Sequence, residues 1–240
     1  MSKVIMVLYG GVAYFIGVVG LVSIIVVLAG LMPWGFLSLA NMDMSSAIAW
    51  NIALVAVWGI IHSVMARPSF KQKLTQFIPE PAERPTYVLI AGITSVALVG
   101  YWQPIEGIVW SIQNDALAMT LWGIFVFGWA FLLLATFAIN HFDLFGLRQV
   151  YYYAKGENRP PLAFVKRMMY AHIRHPIQTG VLIGVWATPT MSNTQVILSV
   201  GFTAYIFVGL WFEERDLIAA HGEEYLSYKA ETGMVLPRIK

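Results

Sequence analysis

The chain contains no cysteine. That removes disulfide bonds, a thiolate nucleophile and any cysteine-ligated metal centre, and it leaves the redox compartment unmarked. Charge is the second scarcity. Only 12% of the 240 residues are Asp, Glu, Lys or Arg, against about 25% in an ordinary soluble domain. The difference goes to apolar residues, 58% of the chain, with a mean hydropathy of +0.68. This is the balance of a protein solvated by lipid. A net charge of +2 gives no basic surface of note, and no nucleic-acid partner is expected. There is no G-x-G-x-x-G stretch, few segments read as strands, and no repeat or low-complexity segment is present. A doubly wound α/β domain, which needs such a loop after a strand, is therefore not expected. Any cofactor must be held by helices and loops.

What the chain has in abundance is long apolar runs, and roughly 20 residues suffice to cross a bilayer. The first run, from the N-terminus to residue 32, far exceeds the core of about 7–15 residues of a secretory signal, so it reads as a retained span. Others cover 46–66, 86–102 (with a continuation to Trp110, past Pro104, left open) and 116–139. The last block, 176–212, is too long for one span. "TPTMSNTQ" (188–195) interrupts it, and such a polar, Pro-containing cluster reads as a turn, so the block is predicted to be a helical hairpin. All 15 Lys and Arg lie at Lys3 or within 67–84, 148–174 and 215–240. Basic residues mark the cytoplasmic side. Six segments, with the hairpin counted as two, put every one of them on one face. The expected fold is an all-α polytopic membrane bundle of five to six segments in a single domain, residues 1–240, in the inner (cytoplasmic) membrane with both termini cytoplasmic. Spans one to four fill 1–139, a cytoplasmic segment 140–175 follows, then the hairpin 176–212 and a charged tail 213–240.

The chemistry should then sit on the cytoplasmic face. "AHIRHPIQTG" (171–180) places two of only five His around an Arg where an apolar helix begins. His172 and His175 share a face if that stretch is helical. Pro176 suits a first helical turn. Helix N-termini attract anions, and Arg174 adds a fork for a carboxylate or phosphate. The plain alternative is an interfacial anchor. A metal site is the weaker reading, because no third ligand is indicated. At the far end of the hairpin stand Glu213 and Glu214, acids at a depth where they must be paired or functional. Hairpin closure brings them toward Arg174. Either a salt bridge pins the hairpin, or cations and carboxylates form a site for a zwitterion, with Tyr225, Tyr228 and Trp211 offering aromatic faces to a cation.

"RHPIQTG", "EERDL" and "HGEEYLSYKAETGMVLPR", in that order, resemble the C-terminal signature of the isoprenylcysteine carboxyl methyltransferase superfamily. The matching residues are Arg174-His175-Pro176 with Gly180, Glu213-Glu214, then Gly222, Tyr225, Tyr228 and Pro237. Gln178 stands where many members carry an aromatic or aliphatic residue. The resemblance implies S-adenosylmethionine as cofactor, enclosed at the cytosolic membrane face by His172, Arg174, His175, Pro176, Gln178, Glu213, Glu214, Tyr225 and Tyr228. "NHFDLFGLRQV" (140–150) is further similar to the corresponding segment of the bacterial methanethiol S-methyltransferases. The implied reaction is methyl transfer to a small thiol, methanethiol, giving dimethyl sulfide.

Such a reaction needs a thiolate, and an unperturbed thiol such as cysteine ionises only near pH 8.5. His141 is the candidate base, Asp143 its orienting carboxylate and Arg148 a thiolate stabiliser. The alternative for "NHFD" is a helix cap by Asn140 or Asp143. His62, near the cytoplasmic end of the second span, reads first as a structural histidine. The nine Trp and the Tyr151–Tyr153 run suit membrane interfaces. Two other readings remain open here. One is a methyltransferase acting on a prenylcysteine carboxylate or lipid amine. The other is an NADPH-dependent membrane reductase of related fold or a non-enzymatic membrane subunit.

Overall fold

Ser2 opens the first helix by accepting the Ile5 N–H, and Asp43 opens the second by accepting from Ser45 and Ser46, each relieving orphan donors of a helix start. In a computed structural model of the chain, residues 2–38, 42–162, 164 and 166–238 are described. The elements in chain order are α1 (Lys3–Leu28), α2 (Met44–Ala66), α3 (Pro68–Leu74), α4 (Glu83–Gly100), β1 (Ile108–Ser111), α5 (Asp115–Ile139), α6 (His141–Leu144), α7 (Leu147–Lys155), α8 (Pro176–Trp186), β2 (Thr190–Ser192), α9 (Asn193–His221) and α10 (Glu223–Glu231). Helices stand at all six predicted segments. Among the described residues, α1, α2, α5 and α9 are long and apolar enough to cross a membrane. Their outward sides carry exposed Leu8, Phe15, Val57, Phe127 and Val208, as lipid contact requires. The hairpin is unequal. At about 1.5 Å per residue, the 11-residue α8 covers roughly half a bilayer core. Lys240, counted above among the basic residues, lies outside the described residues.

The chain divides into two compact units. The first comprises 1–105 and 140–162. Here α1 and α4 pack so closely that a Cβ on Gly92 would lie 2.3 Å from the Ile16 carbonyl oxygen and 2.8 Å from the Gly17 nitrogen. Small residues let membrane helices approach in this way. Gly92→Ala is expected to force the two backbones apart and cost about 1–3 kcal/mol. Gly11→Ala, where a Cβ meets nothing within 4 Å, is the control and should not lower the melting temperature in detergent. At one end of this unit Val150 packs on Met6 and Ala82, with Tyr9, Ile78 and Tyr153 around them. The third span does not continue to Trp110. Helix α4 stops at Gly100, and buried Asn51 reads the next backbone like a neighbouring strand: its Nδ2 donates to the Gln103 carbonyl and its Oδ1 accepts the Gln103 N–H, both at 2.8 Å. Pro104, which has no N–H to give, follows.

The second unit comprises 106–139 and 163–240. Helices α5 and α8 meet through Gly128 and Gly180, each of which would drive a Cβ into the other's backbone. The predicted turn falls at 187–192. Strand β2 there pairs antiparallel with β1, a two-stranded sheet that stabilises the hairpin's closed end. Ser199 donates to the Val185 carbonyl (2.7 Å) and Trp186 Nε1 to Thr203 (3.0 Å), locking α8 to α9. Glu213, Glu214 and Arg215 do not begin a separate tail. They continue α9, which runs on to His221 because nothing in 213–221 breaks a helix.

Candidate functional site

The hairpin's open end is closed by the returning C-terminal strand of chain. Arg174 N–H donates to the Gly233 carbonyl, His175 N–H to Met234, and Gly233 N–H back to the His172 carbonyl. Thr179 Oγ1 adds a bond to the Val235 carbonyl (2.7 Å). This extended pairing aims the Arg174 side chain at α9. Its Nε donates to Glu214 Oε1 at 2.7 Å, and its Nη1 donates to the carbonyls of Lys229 (3.1 Å) and Thr232. Lys229 Nζ reaches Glu214 Oε2 at 2.6 Å, and His175 Nε2 lies 3.3 Å from Oε1. Arg174, His175 and Glu214 are all buried. A buried carboxylate is tolerable only when its oxygens are paired in this way.

Aromatic rings form the adjoining wall. Tyr225 and Tyr228 are buried on α10, with ring centroids 6.0 Å apart, and Phe164 stands edge-on to Tyr228 at 5.3 Å. Tyr228 donates to the Tyr170 carbonyl at 2.5 Å. The Tyr225 hydroxyl is buried, yet it has no hydrogen-bond partner among the described residues. An orphaned polar atom of this kind is costly unless a ligand completes it. Burial pushes the Tyr225 and Tyr170 hydroxyls well above the ordinary phenol range, so both stay protonated donors.

Of the sequence-predicted cofactor residues, Arg174, His175, Pro176, Glu214, Tyr225 and Tyr228 are gathered in one buried cluster. Gln178 is partly buried in the first turn of α8. His172 and Glu213 are exposed. The shared face expected for His172 and His175 does not form, because 172–175 is non-helical backbone ahead of α8. Glu213 and Glu214 are about 100° apart around α9, so only one faces inward. Lys229, Thr232, Tyr170 and Phe164 were not foreseen; the chain's return brings Lys229 and Thr232 to Arg174 and sets Tyr228 against Tyr170 and Phe164, which leaves no local signal.

The first unit holds the other predicted group. Asn140 caps α6 by accepting the Asp143 N–H, and Gly146 turns the chain into α7 with φ +84 at a point where a Cβ would strike Pro85. Arg84 Nε fixes the end of α6 through the Leu144 carbonyl (2.7 Å). His141 is buried, with Nε2 3.0 Å from the Tyr14 hydroxyl and its ring tilted over Phe145 at 4.6 Å. Asp143 points to another side of α6. Two residues along a helix the side chains diverge by about 200°. The Asp143 Oδ1 instead accepts from Arg148 (3.1 Å) and Arg159 (3.0 Å). Arg148 also donates to the Pro160 carbonyl at 2.7 Å, so its fork is committed to holding the 156–160 segment. His62 bonds the Trp58 carbonyl through Nδ1 (2.8 Å) and lies over the Trp58 ring, a structural position.

Burial holds both His141 and His175 below the usual imidazole range; at His175 the nearby Glu213 and Glu214 offset part of that effect. Both are neutral at pH 7. Their folded values are depressed, so the stability they allow is complete above the unfolded value of about 6.5 and is lost as the pH falls from there through the folded value. Thermal midpoints in detergent should therefore drop between pH 7.5 and 5.5. His175→Gln should flatten that slope, and an unchanged slope would assign the acid sensitivity elsewhere.

The chain matches the family described as NnrU protein over residues 50–236. The chain belongs to the NnrU family. Its curated relatives include the protein named Methanethiol S-methyltransferase of Mycobacterium tuberculosis, 42% identical over 80% of this chain and 78% of that protein. Methanethiol S-methyltransferase 1 of Bradyrhizobium diazoefficiens is 38% identical over 98% of this chain and 83% of its own. The Methanethiol S-methyltransferase of Crocosphaera subtropica is 35% identical over 100% of this chain and 94% of its own. No solved structure matches the chain. The NnrU match takes in both clusters, the one around His141 and the one around Glu214, and with its apolar helices the chain is an integral membrane protein.

Proposed function

We propose that this NnrU-family chain is an S-adenosylmethionine-dependent methyltransferase that converts methanethiol to dimethyl sulfide at the cytoplasmic face of the inner membrane. The observation that carries the reading is similarity along the whole chain to relatives named for that activity. The buried cluster fits a sulfonium donor with amino and carboxylate groups. Tyr225 offers a donor with no partner among the described residues, His175 and the exposed Glu213 stand at its edge, and Tyr228 and Phe164 provide aromatic faces. Of the two readings of Arg174 and Glu214, a salt bridge pinning the hairpin or ligands of a zwitterion, the ion pair is formed. Bonded to each other, they serve as the frame that holds His175 and the C-terminal return in place.

When bound, S-adenosylmethionine supplies an electrophilic methyl group. The chain's own work is to remove the thiol proton and exclude water. His141, neutral and buried, is the base: it takes the proton of the S–H bond, and the sulfur keeps the electron pair and becomes the nucleophile. Arg148 and Asp143 keep the 140–160 segment folded around that base.

Purified protein in detergent, given methanethiol and S-adenosylmethionine, should release dimethyl sulfide into the headspace. Folded protein that binds S-adenosylhomocysteine calorimetrically yet releases none would reject methanethiol as the acceptor. For orientation, a reporter active only in the periplasm should be silent when fused to the C-terminus; activity there would reverse the topology.

A further inference from the structure

We propose that Tyr14 of α1 relays the thiol proton to His141. The inference rests on the reading of His141 as the base. Three observations within the first unit carry it. His141 is only 4% exposed, so a substrate sulfur has little direct access to its ring. Tyr14, whose hydroxyl lies 3.0 Å from His141 Nε2, is only partly buried. Asp143, the carboxylate nearest to His141 in sequence, is paired with Arg148 and Arg159.

The Tyr14 ring is fixed for this task. It stands edge-on to His141 (centroids 5.8 Å, 81°) and to Phe145 (5.5 Å, 78°), so its hydroxyl has one direction in which to point. A phenol oxygen donates one hydrogen bond while accepting another. The step then balances. The thiol S–H breaks and its proton joins Tyr14 Oη, while the Oη proton passes to His141 Nε2. Sulfur keeps its electron pair, Tyr14 is neutral before and after, and His141 ends as an imidazolium that later returns its proton to water. Because the two transfers are coupled, Tyr14 never needs to ionise. The residue is 127 positions from His141 in sequence.

The test compares Tyr14→Phe, His141→Ala and the double variant. Tyr14→Phe keeps the ring packing and removes only the hydroxyl. It should lower kcat about 100-fold at pH 7, in the range of a positioned proton-transfer group. The loss should shrink by pH 9.5, where solvent supplies thiolate, with KM for S-adenosylmethionine unchanged. The double variant should be no slower than the slower single one, as for residues acting as one unit. Wild-type turnover in mixed light and heavy water should show a curved proton inventory, two protons moving in one step, a readout independent of whether the variant folds. In donor-free protein labelled at the histidine ring nitrogens, Tyr14→Phe should shift one Nε2 resonance. A linear inventory, a Tyr14→Phe rate within twofold of wild type, or losses that multiply in the double variant would overturn the relay and leave His141 as base. A His141→Ala profile parallel to wild type would instead remove the base itself.

Discussion

Glu214→Ala is expected to be the most damaging single change in the second unit. It leaves the guanidinium of Arg174, a residue only 9% exposed, without its carboxylate in a buried site. Breaking a buried pair by removing one partner typically costs about 3–5 kcal/mol. The lower end applies here, because Arg174 keeps its bonds to the Lys229 and Thr232 carbonyls and Lys229 is already half in solvent. A loss of about 3 kcal/mol should lower the melting temperature in detergent by several degrees and abolish S-adenosylhomocysteine binding. Lys229→Ala, which removes only the exposed partner, should cost about 0–1 kcal/mol. The decisive control is Arg174→Met with Glu214→Leu. Replacing both charges by apolar groups should restore much of the stability without restoring ligand binding. If the double variant binds as wild type does, neither the ion pair nor its charges belong to the cofactor site.

His141→Ala is expected to have the largest effect on turnover. At pH 7 a small thiol is mostly protonated, and a positioned base is worth about 10²–10⁴-fold. The deficit should narrow steadily toward pH 9.5, measured with saturating S-adenosylmethionine. Burial lowers the His141 imidazole value, so the wild-type base stays unprotonated to below the usual 6.5, and activity should decline only on the acid side of it. Asp143→Asn separates two accounts of the same motif. A carboxylate that orients the histidine would, when lost, reproduce a weaker version of the His141→Ala profile. The geometry predicts instead a parallel profile with lower thermal stability, since Asp143 holds Arg148 and Arg159. Arg148→Lys should behave likewise: a lysine keeps the charge but cannot bridge Asp143 and the Pro160 carbonyl as the planar fork does.

The spans were legible because lipid imposes a long, uncharged run that composition alone reveals, and the hairpin because Pro189 with Ser192 and Asn193 breaks a run too long for one helix. The end of the third span, left open between 102 and 110, was ambiguous for a definite reason. Apolar residues such as Ile108, Val109 and Trp110 suit a strand as well as a span, and only the pairing of β1 with β2 selects the strand.

Sequence by itself determined the solvent, the positions of the helices and the stock of acid, base and aromatic groups, since these follow from composition, run length and short motifs such as Arg174-His175-Pro176. It also singled out the Glu213–Glu214 pair, because carboxylates directly after a long apolar run have few reasons to be there. The tertiary structure alone decided which group meets which. Adjacent Glu213 and Glu214 point about 100° apart, so helix rotation chooses the inward one. Arg174 meets a carboxylate 40 positions away and His141 a phenol 127 positions away. Such distances between partners carry no local periodicity, because a hydrogen bond depends on where two backbones pass in space.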